Sequence, residues 1–279
     1  MQVYLYTKSG HAIGLEATKR CATIANALKE FEPILCTSDF RAGAFAKDLL
    51  GVKKYVNIDV VRNLYNIMEK RDILIYDTDE TNEFMHNDMK EFCTLLYSVQ
   101  NDISNIVVDE TLYKKIDNPS IEKLMFFGDD DYNNLFLENI KEAQALDIDL
   151  LMGHYFFLGN EKIFKKYFNN VIDEEEYVET IQNSKHLLTA SLQTALESIS
   201  CGNKPVLFKR EDKIYDDELI SKLNIPTINS KDFNQIVKEF EEIIKDYPEI
   251  KNFNNANLEN IVHTIKEKID EYNRLVGNY

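Results

Sequence analysis

The amino-acid sequence predicts an α/β protein made of two halves, each with a parallel β-sheet covered by helices. Short apolar runs alternate with amphipathic stretches along the chain, which is the pattern of parallel strands joined by helical crossovers. The length of 279 residues is enough for about two domains. A proline and several turn-forming residues in 117–121 mark the break between the two halves.

In the first half, four helices are predicted between five strands. Apolar residues recur at helical spacing after Glu16, at Cys21, Ile24 and Leu28. The strands are expected at 3–6, 32–37, 55–58, 72–76 and 105–108, and the helices at 16–31, 41–50, 60–70 and 88–99.

In the second half, the same alternation restarts. Strands are expected at 122–127, 186–188, 205–208 and 225–228. Two further strand candidates are flanked by the segments 149–153 and 165–171. Helices are expected at 134–146, 174–181, 216–223, 233–245 and 258–275, with one more after the strand end at Thr189. The predicted domains are therefore 1–117 and 118–257, followed by a C-terminal helix within 258–279.

Composition excludes several classes of protein. A formal net charge of -16 disfavours a nucleic-acid binder, which needs a Lys/Arg surface. The four cysteines are scattered without metal-ligand spacing, and no GxGxxG or P-loop motif occurs. No signal peptide or transmembrane segment is recognised, so a cytoplasmic location with reduced cysteines is expected.

The most informative segment, 187–205, reads as a strand, a polar turn and a helix. Ser191, Gln193 and Thr194 stand at the turn and the helix start, where free N–H groups and the helix dipole suit a phosphate. Glu197 follows one turn later on the same side, where a carboxylate can accept hydrogen bonds from a ribose diol. Such a segment predicts a nucleotide-sugar site; the alternative is that Glu197 is an ordinary exposed helix residue.

Three further polar clusters fall at predicted strand ends. His11, in the two-glycine loop 7–17, is a candidate base, or a solvent residue in an ordinary turn. Asp79, in the sequence DTDET at 77–81, could act as a base or could cap the following segment. The acidic run 129–131 would favour a helix start but repel a diphosphate, unless a divalent cation bridges them. No cofactor is otherwise expected.

The order of these segments resembles that of GT-B nucleotide-sugar proteins, including the UDP-sugar hydrolase of pseudaminic acid biosynthesis and the UDP-GlcNAc transferase of peptidoglycan assembly. The resemblance lies in Ile13-Gly14 with Lys19-Arg20, DILIYD at 72–77, NIVVDE at 105–110, FFGDDDYNN at 126–134 and ASLQTALESISCGNKP at 190–205. It implies two Rossmann-like domains that face each other across a cleft. The first would carry the acceptor and catalytic side, the second would bind the nucleotide sugar, and the C-terminal helix would pack back on the first.

The resemblance also implies roles for individual residues of the second domain. Ser191, Gln193 and Thr194 would lie near the phosphates, with the backbone at Gly128 close to the ligand. Glu197 would take the ribose hydroxyls, and the backbone around Ile172 would meet the uracil ring.

The sequence departs from this family at the catalytic positions. Where the family's Gly-His pair is expected, with His as the base, this chain has Glu16 and Ala17, and Ala17 cannot move a proton. Loss of a general base costs a factor of about 10²–10⁴. Asp129 replaces a glycine that would approach the ligand, and Thr78-Asp79 replace a His-Tyr pair.

The sequence thus predicts a UDP-sugar-dependent glycosyltransferase, or a related nucleotide-sugar-processing protein of surface glycan biosynthesis. Its acceptor is not identified, and Glu16, His11 and Asp79 are the candidate bases. One alternative is a non-catalytic GT-B relative that binds a nucleotide sugar or a protein partner. The other is an unrelated α/β protein whose acidic loops hold a divalent cation.

Overall fold

The computed structural model describes residues 1–156, 159–251 and 253–276, and these form two compact units. The first unit contains 1–10, 17–107 and 255–276, and the second contains 11–16 and the described part of 108–254. The predicted boundary after residue 117 therefore falls inside the second unit, and the C-terminal helix belongs to the first.

The first unit is built on a five-stranded parallel sheet with strand order β3-β2-β1-β4-β5. The strands are β1 (Val3–Thr7), β2 (Ile34–Thr37), β3 (Lys54–Asn57), β4 (Ile73–Asp77) and β5 (Leu95–Ser98). The helices are α1 (Glu16–Ala27), α2 (Phe40–Leu50), α3 (Glu83–Phe92) and α10 (Leu258–Val276). Local signals set the ends of α2, since the Asp39 side chain accepts from Arg41 N and Gly51 ends the helix at φ 77°.

Three predictions for this unit are wrong. The predicted helix 60–70 is a 3₁₀ segment, Val61–Asn66, and the predicted helix 88–99 covers the end of α3 and all of β5. Helix α3 starts earlier because the Asn82 side chain caps it by accepting from Met85 N. The predicted strand at 105–108 is irregular. Its residues 106–108 are buried, and Ile106 O accepts from Ala256 N instead of from a neighbouring strand.

The second unit is built on a six-stranded parallel sheet with strand order β11-β10-β9-β6-β7-β8. The strands are β6 (Ile121–Phe126), β7 (Asp149–Leu151), β8 (Val171–Ile172), β9 (Ser184–Thr189), β10 (Lys204–Phe208) and β11 (Thr227–Ile228). The helices are α4 (Leu135–Ile140), α5 (Glu161–Phe164), α6 (Tyr177–Asn183), α7 (Leu192–Ser200), α8 (Asp217–Leu223) and α9 (Phe233–Lys245).

The core of the second unit is rich in phenylalanine. Phe136 on α4 is fully buried, and its ring contacts those of Phe127, Phe164 and Phe233 at centroid distances of 4.8, 5.2 and 5.8 Å. Helix α4 ends at Ile140, so the prediction of a helix through residue 146 is wrong at its C-terminal end.

The strand order fixes where each sheet offers a crevice. Numbered within the second unit, its strands follow the order 3-2-1-4-5-6 of nucleotide-binding α/β folds. The chain runs from β6 toward one edge of the sheet and from β9 toward the other edge. The place between β6 and β9, where the direction of the connections reverses, is called the switch point. In the first unit the corresponding strands are β1 and β4. Open parallel sheets bind ligands at the carboxyl ends of such strands.

Candidate functional site

The switch point of the second unit is lined by the loop after β6, residues 127–131, and by the turn after β9, residues 190–191. These are the two segments that the sequence singled out as FFGDDDYNN and ASLQTALESISCGNKP. Both loops are buried, with Asp129, Asp130 and Asp131 no more than 8% exposed. This arrangement brings an unusual density of polar groups to one edge of the sheet.

Asp130 is held by two cations that the sequence analysis missed. Its Oδ1 lies 2.9 Å from Arg210 Nη1 and 3.1 Å from Lys213 Nζ. The Arg210 guanidinium lies 4.4 Å from the centroid of the Phe127 ring, and it also binds Asp212 through Nε and Nη2. The loop after β10 therefore carries a buried positive group to the switch point, where Asp130 neutralises it.

Asp131 and Asp129 serve the local backbone. The Asp131 carboxylate accepts from Leu135 N and Phe136 N at the start of α4. Desolvation raises the pKa of Asp131 to about 6, although those backbone N–H groups act in the opposite direction. Asp129 accepts from His154 N at 3.2 Å.

Gly128 is required by the path of this loop. Its φ is +132°, a conformation that side chains rarely adopt, and a Cβ here would lie 2.8 Å from Asp130 Oδ1. The same Cβ would stand 3.5 Å from Arg210 Nη1. The backbone at Gly128 thus approaches the charged cluster closely; its predicted approach to a ligand stays a prediction.

At the other loop, Ser191 is the N-cap of α7. Its Oγ accepts from Thr194 N at 3.1 Å and donates to Glu16 Oε1 at 2.8 Å. Glu16 is half-buried and clusters with the second unit together with the rest of segment 11–16. Ser191, Gln193 and Thr194 are nearly fully buried, so their side chains meet other protein groups and not open solvent.

Glu197 is also buried, with 1% of its surface exposed. Its Oε2 lies 2.6 Å from the Tyr177 hydroxyl, and its Oε1 accepts from Gln193 Nε2 at 3.1 Å. The alternative of an ordinary exposed residue is therefore wrong. A ribose diol would reach this carboxyl group only after displacing one of these partners.

The remaining candidates are distributed over both units. His11 is exposed in the second unit, with its ring 4.7 Å from that of Tyr132 and 5.0 Å from that of Tyr155. Ile172 ends β8, and its carbonyl accepts from Met152 N. Asp79 is exposed in the first unit; its neighbour Glu80 makes the local contacts, with Tyr6, Lys8 and Val61 N.

The switch point of the first unit has its own buried ion pair. Asp77, at the end of β4, accepts from Arg20 Nε at 2.7 Å and from Gln100 Nε2 at 3.3 Å. Lys19 is 2% exposed and lies 5.9 Å from the centroid of the Phe45 ring. Of the two basic residues noted on α1, Arg20 therefore reaches the strand end, whereas Lys19 is buried beside α2.

The part of the chain that the structure describes offers neither a metal-binding cluster nor a membrane-spanning helix. Within 1–156, 159–251 and 253–276, no group of three or more His, Cys, Asp or Glu side chains is arranged to hold a metal ion. Among the helices in those ranges, none is long and apolar enough to cross a membrane. The three aspartates of the β6 loop are instead used in a cap, in an ion pair and in a backbone contact.

No protein-family model and no curated protein matches the sequence. Solved structures do resemble the fold. The UDP-GlcNAc 2-epimerase from Methanocaldococcus jannaschii, in complex with UDP-GlcNAc and UDP, gives a TM-score of 0.54 at 12% identity over 96% of this chain and 100% of that one. The UDP-GlcNAc 2-epimerase from Neisseria meningitidis bound to UDP-GlcNAc gives 0.52 at 12% identity over 97% and 100%.

At this level of identity the likeness establishes the fold. The structural neighbours are GT-B nucleotide-sugar enzymes, and the chain shares their two parallel-sheet α/β units. The predicted fold class and the resemblance to GT-B nucleotide-sugar proteins are therefore confirmed.

Proposed function

We propose that this chain binds a nucleotide-diphospho-sugar, a UDP-sugar in the first instance, at the switch point of its second unit and transfers the sugar to an acceptor. The observation that carries the proposal is the position of the buried polar groups. Arg210 and Lys213 on one side and the start of α7 on the other converge on the carboxyl ends of β6 and β9. These strands flank the crevice at which folds of this order bind nucleotides.

The two cations fit the charge of a diphosphate. Arg210 presents a planar fork of donors and Lys213 a compact charge, and both types of group bind phosphate oxygens. The Asp130 carboxylate now accepts from both of them at 2.9 and 3.1 Å. A diphosphate in this position would take over the hydrogen bonds that Asp130 now accepts.

The other predicted ligand contacts follow from the same placement. Ser191 and Thr194 lie at the start of α7, and Gln193 covers Glu197 Oε1. A ribose hydroxyl that replaced the Gln193 amide would reach Glu197, while the base would extend toward Ile172 at the end of β8. Glu16 is the favoured candidate base because Ser191 fixes one of its oxygens beside this crevice; His11 and Asp79 remain the other candidates.

Isothermal titration calorimetry with UDP and UDP-GlcNAc, with and without Mg²⁺, tests the proposal. Lys213→Gln should weaken binding about ten- to a hundredfold, because a hydrogen bond to a charged group contributes about 1.5–3 kcal/mol. Lys209→Gln is the matched control, since Lys209 carries the same charge four positions earlier but pairs with Asp217. Absence of heat at millimolar nucleotide, or equal losses in both variants, would overturn the assignment.

A non-catalytic GT-B relative is the second candidate, and one observation favours it. The groups that should meet the ligand are engaged with each other: Asp130 with Arg210 and Lys213, and Glu197 with Tyr177 and Gln193. Product analysis separates the two functions. Release of UDP only when an acceptor is present identifies a transferase, whereas binding with the sugar left intact under every condition identifies the non-catalytic relative.

A further inference from the structure

Two carboxyl groups of the second unit are joined by an unbroken row of hydroxyl groups. Glu16 Oε1 lies 2.8 Å from Ser191 Oγ, which lies 2.9 Å from Thr194 Oγ1. Thr194 Oγ1 lies 2.8 Å from the Tyr177 hydroxyl, which lies 2.6 Å from Glu197 Oε2. All four distances are typical of O–H···O hydrogen bonds.

The number of hydrogens in this row determines its protonation. Four hydrogen bonds need four hydrogens, but the hydroxyls of Ser191, Thr194 and Tyr177 provide only one each. With both carboxyl groups ionised, two neighbouring oxygens would face each other without a hydrogen between them. A proton on either carboxyl group supplies the fourth hydrogen.

The row can then point in either of two directions. With the proton on Glu197, each group donates to the next one toward Glu16, which is ionised. With the proton on Glu16, every hydrogen bond is reversed and Glu197 is ionised. Passage from the first arrangement to the second moves one proton across each of the four links. Glu197 changes from an acid to a carboxylate, and Glu16 changes from a carboxylate to an acid.

The surroundings of the two ends differ. Glu197 is 1% exposed and interacts with the titratable side chains of Tyr113, Tyr177 and Cys201. Burial raises the pKa of Tyr113 and of Tyr177, and that of Cys201 to about 12, so all three are neutral at physiological pH. Glu16 is half-buried, and its carboxyl group interacts electrostatically with Tyr215.

We infer that Glu16, Ser191, Thr194, Tyr177 and Glu197 form a proton relay that holds one shared proton, with Glu197 as its buried store and Glu16 as its accessible end. We place the proton on Glu197 because it is the more deeply buried of the two carboxyl groups. Glu16 is then a carboxylate able to accept a proton.

After the row reverses, Glu16 carries the proton that the Ser191 hydroxyl has passed on and becomes an acid able to donate it, without exchange with solvent. This role rests on the proposed function, in which Glu16 acts on the bound sugar nucleotide or its acceptor. The relay uses Glu197 Oε2, so Oε1 keeps the position behind Gln193 that the ribose contact requires.

Infrared difference spectroscopy of the full chain without ligand tests the relay directly. Above pH 7.5, where Asp131 with its pKa of about 6 is mostly ionised, the protein should show the carbonyl band of a protonated carboxylic acid. Glu197→Gln should abolish this band, and Asp131→Asn should leave it in place. If Glu197→Gln leaves the spectrum unchanged, no shared proton rests on Glu197 and the inference is overturned.

Thr194 offers a matched pair of variants for the coupling along the row. Thr194→Val has nearly the same shape but no hydroxyl. Only the links Glu16–Ser191 and Tyr177–Glu197 then remain, and the two hydroxyls supply a hydrogen to each, so the Glu197 band should weaken or disappear. Thr194→Ser keeps the hydroxyl and should give the wild-type band. Equal spectra for the two variants would contradict a relay through Thr194.

A second readout separates the relay from the proposed function. Once a transfer reaction is found, Thr194→Val should lower kcat about a hundredfold or more with little change in KM, and Thr194→Ser should restore it. If the infrared results are as expected but calorimetry finds no nucleotide binding, the relay stands and the proposed function falls. If calorimetry finds nucleotide binding but Glu197→Gln leaves the infrared spectrum unchanged, the proposed function stands and the relay falls.

Discussion

Replacing Arg210 by methionine removes the guanidinium that pairs with Asp130 and so tests the charged cluster at the switch point. Asp130 is 8% exposed and would keep Lys213 alone, at 3.1 Å. Removing one member of a buried ion pair costs about 3–5 kcal/mol. Because Lys213 remains, we expect the lower end of this range, about 3 kcal/mol, which corresponds to roughly a hundredfold change in an opening equilibrium.

Hydrogen exchange measured by mass spectrometry is the suitable assay, because a chain with two units need not unfold in one step. Peptides from β6 and β9 should exchange about a hundredfold faster in Arg210→Met, whereas peptides from β1 and β4 serve as an internal control. Asp130→Asn should have a smaller effect, since Arg210 keeps its two bonds to Asp212.

The double variant provides the decisive comparison. When Asp130→Asn is combined with Arg210→Met, the uncompensated buried charge disappears, so the loss should fall short of the sum of the single losses by about 1–2 kcal/mol. Strictly additive losses, or unchanged exchange in Arg210→Met, would refute the reasoning that Asp130 and Arg210 stabilise each other.

Three further predictions concern stability. Burial raises the pKa of Asp131 from 3.8 to about 6; its proton therefore stabilises the folded state below pH 3.8, and this contribution, on the order of 1–3 kcal/mol, is lost as the pH rises through about 6. Asp131→Asn should abolish that pH dependence in the exchange of α4 peptides, and an unchanged profile would exclude Asp131 as its source. Gly128→Ala should destabilise the second unit by about 2–4 kcal/mol, because the cost of the strained φ adds to the cost of the contact at 2.8 Å. Gly10→Ala is the control: Gly10 has φ +145° and nothing within 4 Å of an added Cβ, so hydrogen exchange of the first unit should show the cost of the strain alone. Phe136→Ala should cost about 3–5 kcal/mol by leaving a cavity among the phenylalanine rings, and Phe136→Leu clearly less; equal losses in urea unfolding would argue against a tightly packed cluster.

Most strands of both sheets could be predicted because they are short, continuous apolar runs, such as ILIY in β4 and PVLF in β10. The errors occur where an apolar sequence fits a strand as well as it fits a helix or an irregular segment. Residues 105–108 have the composition of a buried strand but pair with no other strand. The stretch 88–99 contains a helix end and a strand whose apolar residues also fit one longer helix.

The candidate site was predicted in part. Local sequence patterns indicated the β6 loop and the start of α7, because the glycine, aspartate and N-cap residues there determine the backbone conformation of residues close to them in the sequence. The partners of these residues are distant in sequence. Arg210 meets Asp130 only because β10 and its following loop return to β9, and Tyr177 meets Glu197 across α6 and α7. The signal that could have indicated Arg210 was its place two residues after a predicted strand, in the kind of strand-end loop that also contains Gly128.

Hydrogen exchange of the full chain with and without saturating UDP-GlcNAc tests the central claim most directly. The account predicts slower exchange in peptides that cover 126–131 and 189–197, which line the switch point of the second unit, and in the peptide that contains Arg210 and Lys213. Peptides from the sheet of the first unit should change little. Protection that is absent throughout, or confined to segments away from the carboxyl ends of β6 and β9, would contradict the account.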